Sequence, residues 1–144
     1  MKRNLNRFLK PQGQEFKVAL SQIKAGRKIG HWMWYIFPQF EGLGFSETSK
    51  FYAIQDLEEA REFLNHPILG ANLKQICNTL LQLEESNALK IMGSPDDKKL
   101  KSSMTLFTVV AKKDETVFQK VLNKYFNGEG DDKTLQLLKE NFKN

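Results

Sequence analysis

The chain is organised around residues 27–39, which read RKIGHWMWYIFPQ and hold both tryptophans and one of the two histidines. Residues 31–37 show no alternation of apolar and polar side chains, so their length suits either a buried strand or two buried helical turns. Helical patterns lie on both sides, and no second convincing strand is available for pairing. The segment therefore predicts a buried helix, which Pro38 ends because a proline disfavours helical geometry in the residue before it.

Two helical patterns precede this segment. Residues 4–9 predict a short helical lead-in that Pro11 and Gly13 end. Residues 14–25 predict an amphipathic helix, with Gly26 as its stop. The apolar face of this second helix consists of Phe16, Ala19, Leu20 and Ile23.

Start signals define the helices that follow. Ser46 and Asp56 are residue types that cap a helix N-terminus, and Glu59 lies in the first turn after Asp56, where the helix dipole favours a negative charge. Ser94 is the clearest predicted cap, because Pro95 then occupies the first helical position, which suits proline. These patterns predict an all-α protein, a single compact domain over residues 1–144 with about seven or eight short helices.

Composition limits the class of protein. The 11 phenylalanines predict an aromatic-rich core. A single cysteine, Cys77, allows no internal disulfide and fits a reducing compartment. The N-terminal residues lack the apolar run of a signal peptide, and the longest apolar run, residues 32–37, is too short to span a membrane. The expectation is a cytoplasmic protein with no membrane contact.

The formal net charge of +5 raises the question of a nucleic-acid partner. Lysines and arginines are spread along the chain with acidic residues between them, and the densest basic run, KKLK at 98–101, follows directly on two aspartates. This distribution is typical of a solvated basic surface and does not favour nucleic-acid binding.

Cationic and aromatic side chains meet in the central segment. Arg27 and Lys28 suit a phosphate-binding role, or they interact with the dipole at the end of the preceding helix. His31 suits a proton donor or phosphate ligand, or it is a structural histidine packed on aromatic rings. Trp32 and Trp34 lie roughly 200° apart around a helix, so one is expected to stack on a ligand and the other to belong to the core.

A polar face is predicted further along the chain, at residues 94–105. Asp97 is a candidate for acid–base catalysis, although aspartates at a helix start more often act as caps. Ser102, Ser103 and Thr105 predict a polar patch that faces a cavity or belongs to a buried network. These hydroxyls, together with Gln39 at the end of the central segment, complete the predicted ligand-binding set.

Several chemistries are not favoured by the sequence. Two histidines and one cysteine make a zinc site improbable, and no metal or cofactor is expected. The residues around Gly93 lack the spacing and lysine of a phosphate-binding loop, and no nucleophile elbow is present. Cys77 lies on the apolar face of its helix, which predicts an inert buried thiol.

The same residues carry a family resemblance. The motifs HWMW at 31–34 and FPQ at 37–39 resemble the signature of a bacterial domain family of unknown function, number 1810, whose members are often labelled calpastatin. The resemblance covers nearly the whole chain, and it implies a mostly helical single domain without implying an activity. It continues through GLG at 42–44, YAI at 52–54, HP at 66–67, GSPDD at 93–97 and SSMTLF at 102–107.

Two features qualify what the resemblance implies. The family pattern has a small polar residue, often serine, before the histidine, whereas this chain has Gly30 and lacks that hydroxyl. The calpastatin label implies a disordered inhibitor that folds on its target. This sequence is aromatic-rich, capped and periodic, which predicts a chain that folds alone.

Two functions remain open at this point. In the first, the central segment and the helix after Ser94 converge on a pocket for a small anionic ligand of the nucleotide or ADP-ribose type, with or without hydrolytic activity. In the second, the aromatic residues form the core beneath the surface of a non-catalytic protein-interaction module. A cavity lined by His31, a tryptophan and the hydroxyls of residues 102–105 favours the first, and an exposed apolar patch favours the second.

Overall fold

A computed structural model describes residues 4–142 of the chain, with the side chain of Phe142 left out. These residues form nine α-helices and no strand, which confirms the predicted all-α class with one or two helices more than expected. The outer bounds of the predicted domain, residues 1 and 144, lie outside the described residues. The helices are α1 Asn6–Lys24, α2 Met33–Ile36, α3 Glu47–Tyr52, α4 Leu57–Asn65, α5 Leu69–Gln82, α6 Ala88–Met92, α7 Asp96–Val110, α8 Val117–Phe126 and α9 Asp132–Phe142.

Helix α1 is continuous where the sequence predicted a break. Pro11 lies inside it, so the separate helices at 4–9 and 14–25 were a wrong prediction. An internal proline costs a helix about 3 kcal/mol, because it removes one backbone hydrogen bond. Burial offsets this cost, since one face of α1 is buried on both sides of the proline at Phe8, Gln12, Phe16, Ala19 and Ile23.

Gln12 connects α1 to two other elements. It is 3% exposed, and its amide nitrogen donates to the carbonyl of Tyr35 at 2.7 Å while its amide oxygen accepts from Asn72 Nδ2 at 2.9 Å. A buried amide with both ends paired fixes the orientation of its neighbours. Gln12 thereby positions α2, and the segment around it, against α1 and α5.

A buried ion pair fixes the start of α1. Arg7 and Glu59 are 4% and 1% exposed, and the two guanidinium–carboxylate distances are 2.8 and 3.1 Å. The remaining donors of Arg7 reach backbone carbonyls, including that of Phe51 at 2.8 Å and that of Ala53 at 2.8 Å. Glu59 therefore pairs with a cation from α1, in addition to its predicted place in the first turn of α4.

The core is aromatic, as the composition predicted. Phe8, Phe63, Phe107 and Phe118 form a continuous series with ring centroids 5.1, 5.4 and 5.8 Å apart. Helix α7 lies within this core and packs against α4, α6, α8 and α9. All six residues from 102 to 107 are buried, so this part of α7 is enclosed on every side.

The helix boundaries confirm most of the predicted signals. Ser46 accepts a hydrogen bond from Ser49 N and Asp56 accepts one from Glu59 N, so both are N-caps. Ser94 is a wrong prediction, because α7 begins at Asp96 with no side-chain cap. Its first-turn amides instead donate to the backbone carbonyls of Gly93 and Pro95.

The predicted helix at 31–37 is a single turn, Met33–Ile36. Trp32 precedes this turn and Phe37 follows it, and neither residue has helical backbone geometry. Among residues 4–142, no helix combines the length and the apolar character that crossing a bilayer requires.

Candidate functional site

The central segment meets the start of α7 through Lys28. The ammonium of Lys28 lies 2.7 Å from Asp96 Oδ2 and 4.8 Å from the centroid of the Trp32 ring, and it donates to the carbonyl of Gly30. Its side chain is only 5% exposed. The central segment and α7 are therefore in contact, as predicted. Asp96 neutralises much of the charge of Lys28 at this contact.

Gln22, on the last turns of α1, organises the same segment. Its carbonyl oxygen accepts hydrogen bonds from Ile29 N at 2.9 Å, from Gly30 N at 3.0 Å and from the indole nitrogen of Trp32 at 2.8 Å. Trp32 is 1% exposed and belongs to the core. One acceptor with three donors ties this loop to α1.

Gly30 allows the close approach on which this arrangement depends. A Cβ atom at this position would lie 2.9 Å from Trp32 Cδ1 and 3.3 Å from its indole nitrogen. The position where the family pattern often has serine is thus one where the Trp32 ring packs directly on the backbone and leaves no room for a side chain.

Substituting Gly30→Ala should lower the free energy of unfolding by about 1–3 kcal/mol, because the enclosed indole has little room to move away. Urea denaturation followed by circular dichroism measures the change. Gly13→Ala is the matched control: Gly13 lies inside α1 with open space around it, so alanine there should stabilise the protein by about 0.5–1 kcal/mol. A G30A variant as stable as the parent would contradict the packing argument.

The other two candidate phosphate ligands of the segment lie on the surface. Arg27 and His31 are both exposed, and neither side chain has a hydrogen bond or an ion pair with the described residues. His31 consequently has no residue that would orient its ring as a general acid or base. Its catalytic role stays a prediction.

Trp34 is the tryptophan that reaches the surface, so the two indoles do separate into a core and an outer position. Trp34 is half-buried and borders a small cleft of about 10 Å³ with Gln39, Ser49 and Tyr52. That volume holds about one water molecule. The ammonium of Lys99, from the first turns of α7, lies 5.7 Å from the Trp34 ring centroid and 3.7 Å from Asp96 Oδ1.

The three predicted hydroxyls belong to the interior of α7. Ser102 Oγ donates to the Lys98 carbonyl at 3.2 Å, while Ser103 Oγ is buried and has no partner among the described residues. Thr105 Oγ1 donates to the Lys101 carbonyl and accepts from Asp131 N at 2.9 Å. The contacts of Ser102 and Thr105 match the buried-network interpretation, whereas Ser103 has no contact of this kind with the described residues. Their role in ligand binding stays a prediction.

Asp97 faces away from its neighbour Asp96. It borders a groove of about 460 Å³ with Asn87, Tyr125 and Phe126, on the side of α7 that faces α8. Its Oδ1 atom is buried and accepts no hydrogen bond from the described residues. Asp97 and His31 therefore do not border the same cavity, and the predicted pair of acid–base residues is divided between two surfaces.

Sequence reasoning missed four residues that shape these surfaces: Gln22, Lys99, Tyr125 and Phe126. Lys99 carried a signal because it belongs to the basic run at 98–101, and Tyr125 and Phe126 carried one as apolar residues at helical spacing. Among residues 4–142, no group of three metal-ligating side chains occurs. Cys77 is buried, as its place on the apolar helix face predicted, and this burial raises the pKa of its thiol.

Comparison with known proteins gives the family of this fold. The chain is similar to the conserved hypothetical protein Rv1873 from Mycobacterium tuberculosis, whose crystal structure superposes with a TM-score of 0.90 at 40% identity, covering 94% of this chain and 96% of that one. No curated protein matches the sequence. The model of a family described as proteins of unknown function, DUF1810, matches residues 2–138. The chain therefore belongs to the DUF1810 family.

Proposed function

We propose that the protein binds a small anionic ligand of the nucleotide or ADP-ribose type on the surface where the central segment meets the start of α7. The observation that carries the proposal is the position of the Lys99 ammonium, 5.7 Å from the half-buried Trp34 ring. An aromatic face beside a cation is the combination that binds a base and its phosphate. The cleft that Trp34 borders is too small to enclose a base, so in this proposal the ligand lies on the surface beside Trp34 and Lys99.

The charges around Trp34 support an anionic ligand. Lys28 and Lys99 both lie close to the single carboxylate of Asp96, which leaves one positive charge uncompensated. Arg27 is exposed on the same segment, and in this proposal its guanidinium forms two parallel hydrogen bonds with the phosphate. In this proposal Lys99 and Arg27 bind phosphate, Trp34 stacks on the base, and Lys28 holds the loop in place.

Any acid–base step on the bound ligand falls to His31, because Asp97 faces the groove beside α8. His31 is exposed and follows the loop that Lys28 and Gln22 fix. Hydrolysis is thus an optional part of the proposal, and ligand binding does not depend on it. A cytoplasmic location, where nucleotides are abundant, belongs to the same proposal.

A second candidate function is supported by two exposed apolar side chains. Phe45, in the loop beside the cleft, is 85% exposed, and Ile29 in the central segment is 75% exposed. Exposed aromatic and aliphatic residues are typical anchors of protein–protein contacts. They favour the protein-interaction module if no small ligand binds.

The experiment is a thermal-shift and calorimetric titration of the protein with AMP, ADP-ribose and NAD. A ligand that binds only the folded state at about 100 times its Kd adds roughly 2.7 kcal/mol of stability, which raises Tm measurably. Trp34→Ala and Lys99→Met should each abolish the shift. Lys113→Met is the matched control, since it removes the same charge from an exposed position in the segment between α7 and α8.

Two results would contradict the proposal. One is binding that survives both W34A and K99M, because the ligand would then lie elsewhere. The other is a flat response to the whole panel. Capture of a protein partner that Phe45→Ser abolishes would, together with a flat response, establish the interaction module instead.

A further inference from the structure

The groove beside Asp97 is an open surface groove, separate from the Trp34 surface. It lies between the start of α7, the end of α8 and the turn that leads into α6, and its volume is about 460 Å³. That size is within the range of small-molecule sites. Its chemistry is set by one carboxylate, Asp97, and by two neighbouring rings, Tyr125 and Phe126.

The carboxylate of Asp97 has no charged or hydrogen-bonding partner among residues 4–142 that any contact shows. Its Oδ1 atom is shielded from solvent and accepts no hydrogen bond from these residues, and the dipole of α7, in whose first turn it lies, is its favourable interaction. By contrast, Asp96, one residue earlier, forms ion pairs with two lysines, Lys28 and Lys99. A carboxylate oxygen that has lost its water without gaining a hydrogen-bond donor is poorly stabilised. A cation beside the other oxygen would stabilise the negative charge.

The two rings form an angled wall beside this carboxylate. Their centroids are 6.5 Å apart and their planes meet at 55°. The hydroxyl of Tyr125 donates to the Leu80 carbonyl at 2.5 Å, which fixes its ring. Burial, and secondarily the charge of Glu85, raises the pKa of Tyr125 to about 12, so the phenol is neutral at physiological pH.

Both rings already attract ammonium groups of the protein itself. Lys124 Nζ lies 5.1 Å from the Tyr125 ring centroid and is held by backbone carbonyls at the end of α5, among them Leu80 at 3.1 Å. Lys101 Nζ lies 6.0 Å from the Phe126 ring centroid. Lys101 has no hydrogen bond or ion pair with a described residue, and it comes one helical turn after Asp97.

We propose that this groove binds an organic ammonium ion, whose charge is held by the Asp97 carboxylate and by the faces of Tyr125 and Phe126. Ring faces attract such cations, and more strongly when the cation is partly desolvated. Lys124 and Lys101 are internal competitors of this ligand, since their ammonium groups lie over the same two rings. Backbone carbonyls hold Lys124 in place, so Lys101 is the competitor that can move away. The site is independent of the anion surface, because the two lie on different sides of α7.

The test is an NMR titration of the ¹⁵N-labelled full chain with n-butylammonium chloride, and in parallel with Nα-acetyl-lysine amide. Saturable shifts are expected for the amides of Asn87, Asp97 and Phe126. The first probe represents a free amine and the second a lysine side chain of a partner protein. The probe with the lower Kd identifies the source of the ammonium group.

Three variants make the assignment specific. Asp97→Asn should weaken binding about tenfold, which corresponds to ~1.4 kcal/mol. Lys101→Met should strengthen it, by about threefold or more, because the competing ammonium is gone. Asp132→Asn is the matched control, since it makes the same change at an exposed position in the first turn of α9 and should leave Kd unchanged.

The proposal is overturned by shifts that sodium chloride reproduces, by equal Kd values for the parent and D97N, or by weaker binding in K101M. If D97N does not fold, Phe126→Leu replaces it, because that variant removes one ring and keeps the carboxylate. F126L should then weaken binding while K101M still strengthens it, and an unchanged Kd in both variants would overturn the site.

Discussion

Replacing Glu59 by glutamine should lower the free energy of unfolding by about 3–5 kcal/mol, because the change leaves the Arg7 guanidinium buried without its counter-charge. Both side chains are nearly inaccessible, and Glu59 also accepts a hydrogen bond from Gln55 N at 3.0 Å. The isosteric amide keeps the volume and removes the charge. Urea denaturation at neutral pH measures the loss.

Glu62→Gln is the matched control for Glu59. Glu62 is exposed on the same helix, α4, so the same substitution there should change stability by no more than about 0.5 kcal/mol. Equal losses in the two variants would show that the Arg7–Glu59 pair contributes little. Exchanging both partners for apolar residues should recover part of the loss, since no charge is then left unpaired.

Replacing Trp32 by alanine should cost about 3–5 kcal/mol, because it empties a large volume of core and removes the donor that Gln22 Oε1 binds at 2.8 Å. The same substitution at Trp34 should cost only about 1–2 kcal/mol, since Trp34 is half-buried at the edge of a shallow cleft. Thermal and urea unfolding of the two variants, followed by circular dichroism, measure the difference.

The comparison between the tryptophans also separates structural from functional loss. If W32A and W34A lose similar stability, the division into a core indole and a surface indole is wrong. If W34A folds nearly as well as the parent and still loses the Tm shift with nucleotides, the effect on binding has no structural explanation other than contact with the ligand. Trp32→Phe, which keeps an aromatic core and removes the indole nitrogen, isolates the contribution of the Gln22 hydrogen bond.

The all-α fold class could be predicted because it depends on patterns of neighbouring residues. Caps such as Ser46 and Asp56, and apolar residues at helical spacing, act within one or two turns, so they can be recognised without knowledge of the tertiary structure. The prediction failed at Pro11, where a local rule conflicts with burial. Continuous burial of α1 against several elements overrode a penalty that is decisive only in an isolated helix.

The candidate site was less predictable because its polar contacts join distant parts of the chain. Lys28 was expected to bind phosphate or to interact with the dipole of the preceding helix, yet its partner Asp96 lies on a helix much later in the sequence. Gln22 carries no local signal, since a glutamine near a helix end is usually solvated. Long-range pairing of common polar residues leaves no periodic pattern. The sequence therefore could not show that Lys28 pairs with Asp96, or that Asp97 has no such partner among the described residues.

The ion pair of Arg7 with Glu59 has a consequence for the protein during its synthesis. The two residues are 52 positions apart, and a ribosome that adds 5–20 residues per second needs roughly 3–10 s to supply the second after the first. During that interval the apolar face of α1 has neither its ion pair nor the core residues of α4 and α5 to cover it. In the nascent chain, the face of α1 that carries Phe8, Phe16, Ala19 and Ile23 therefore stays uncovered until the middle of the protein has been made.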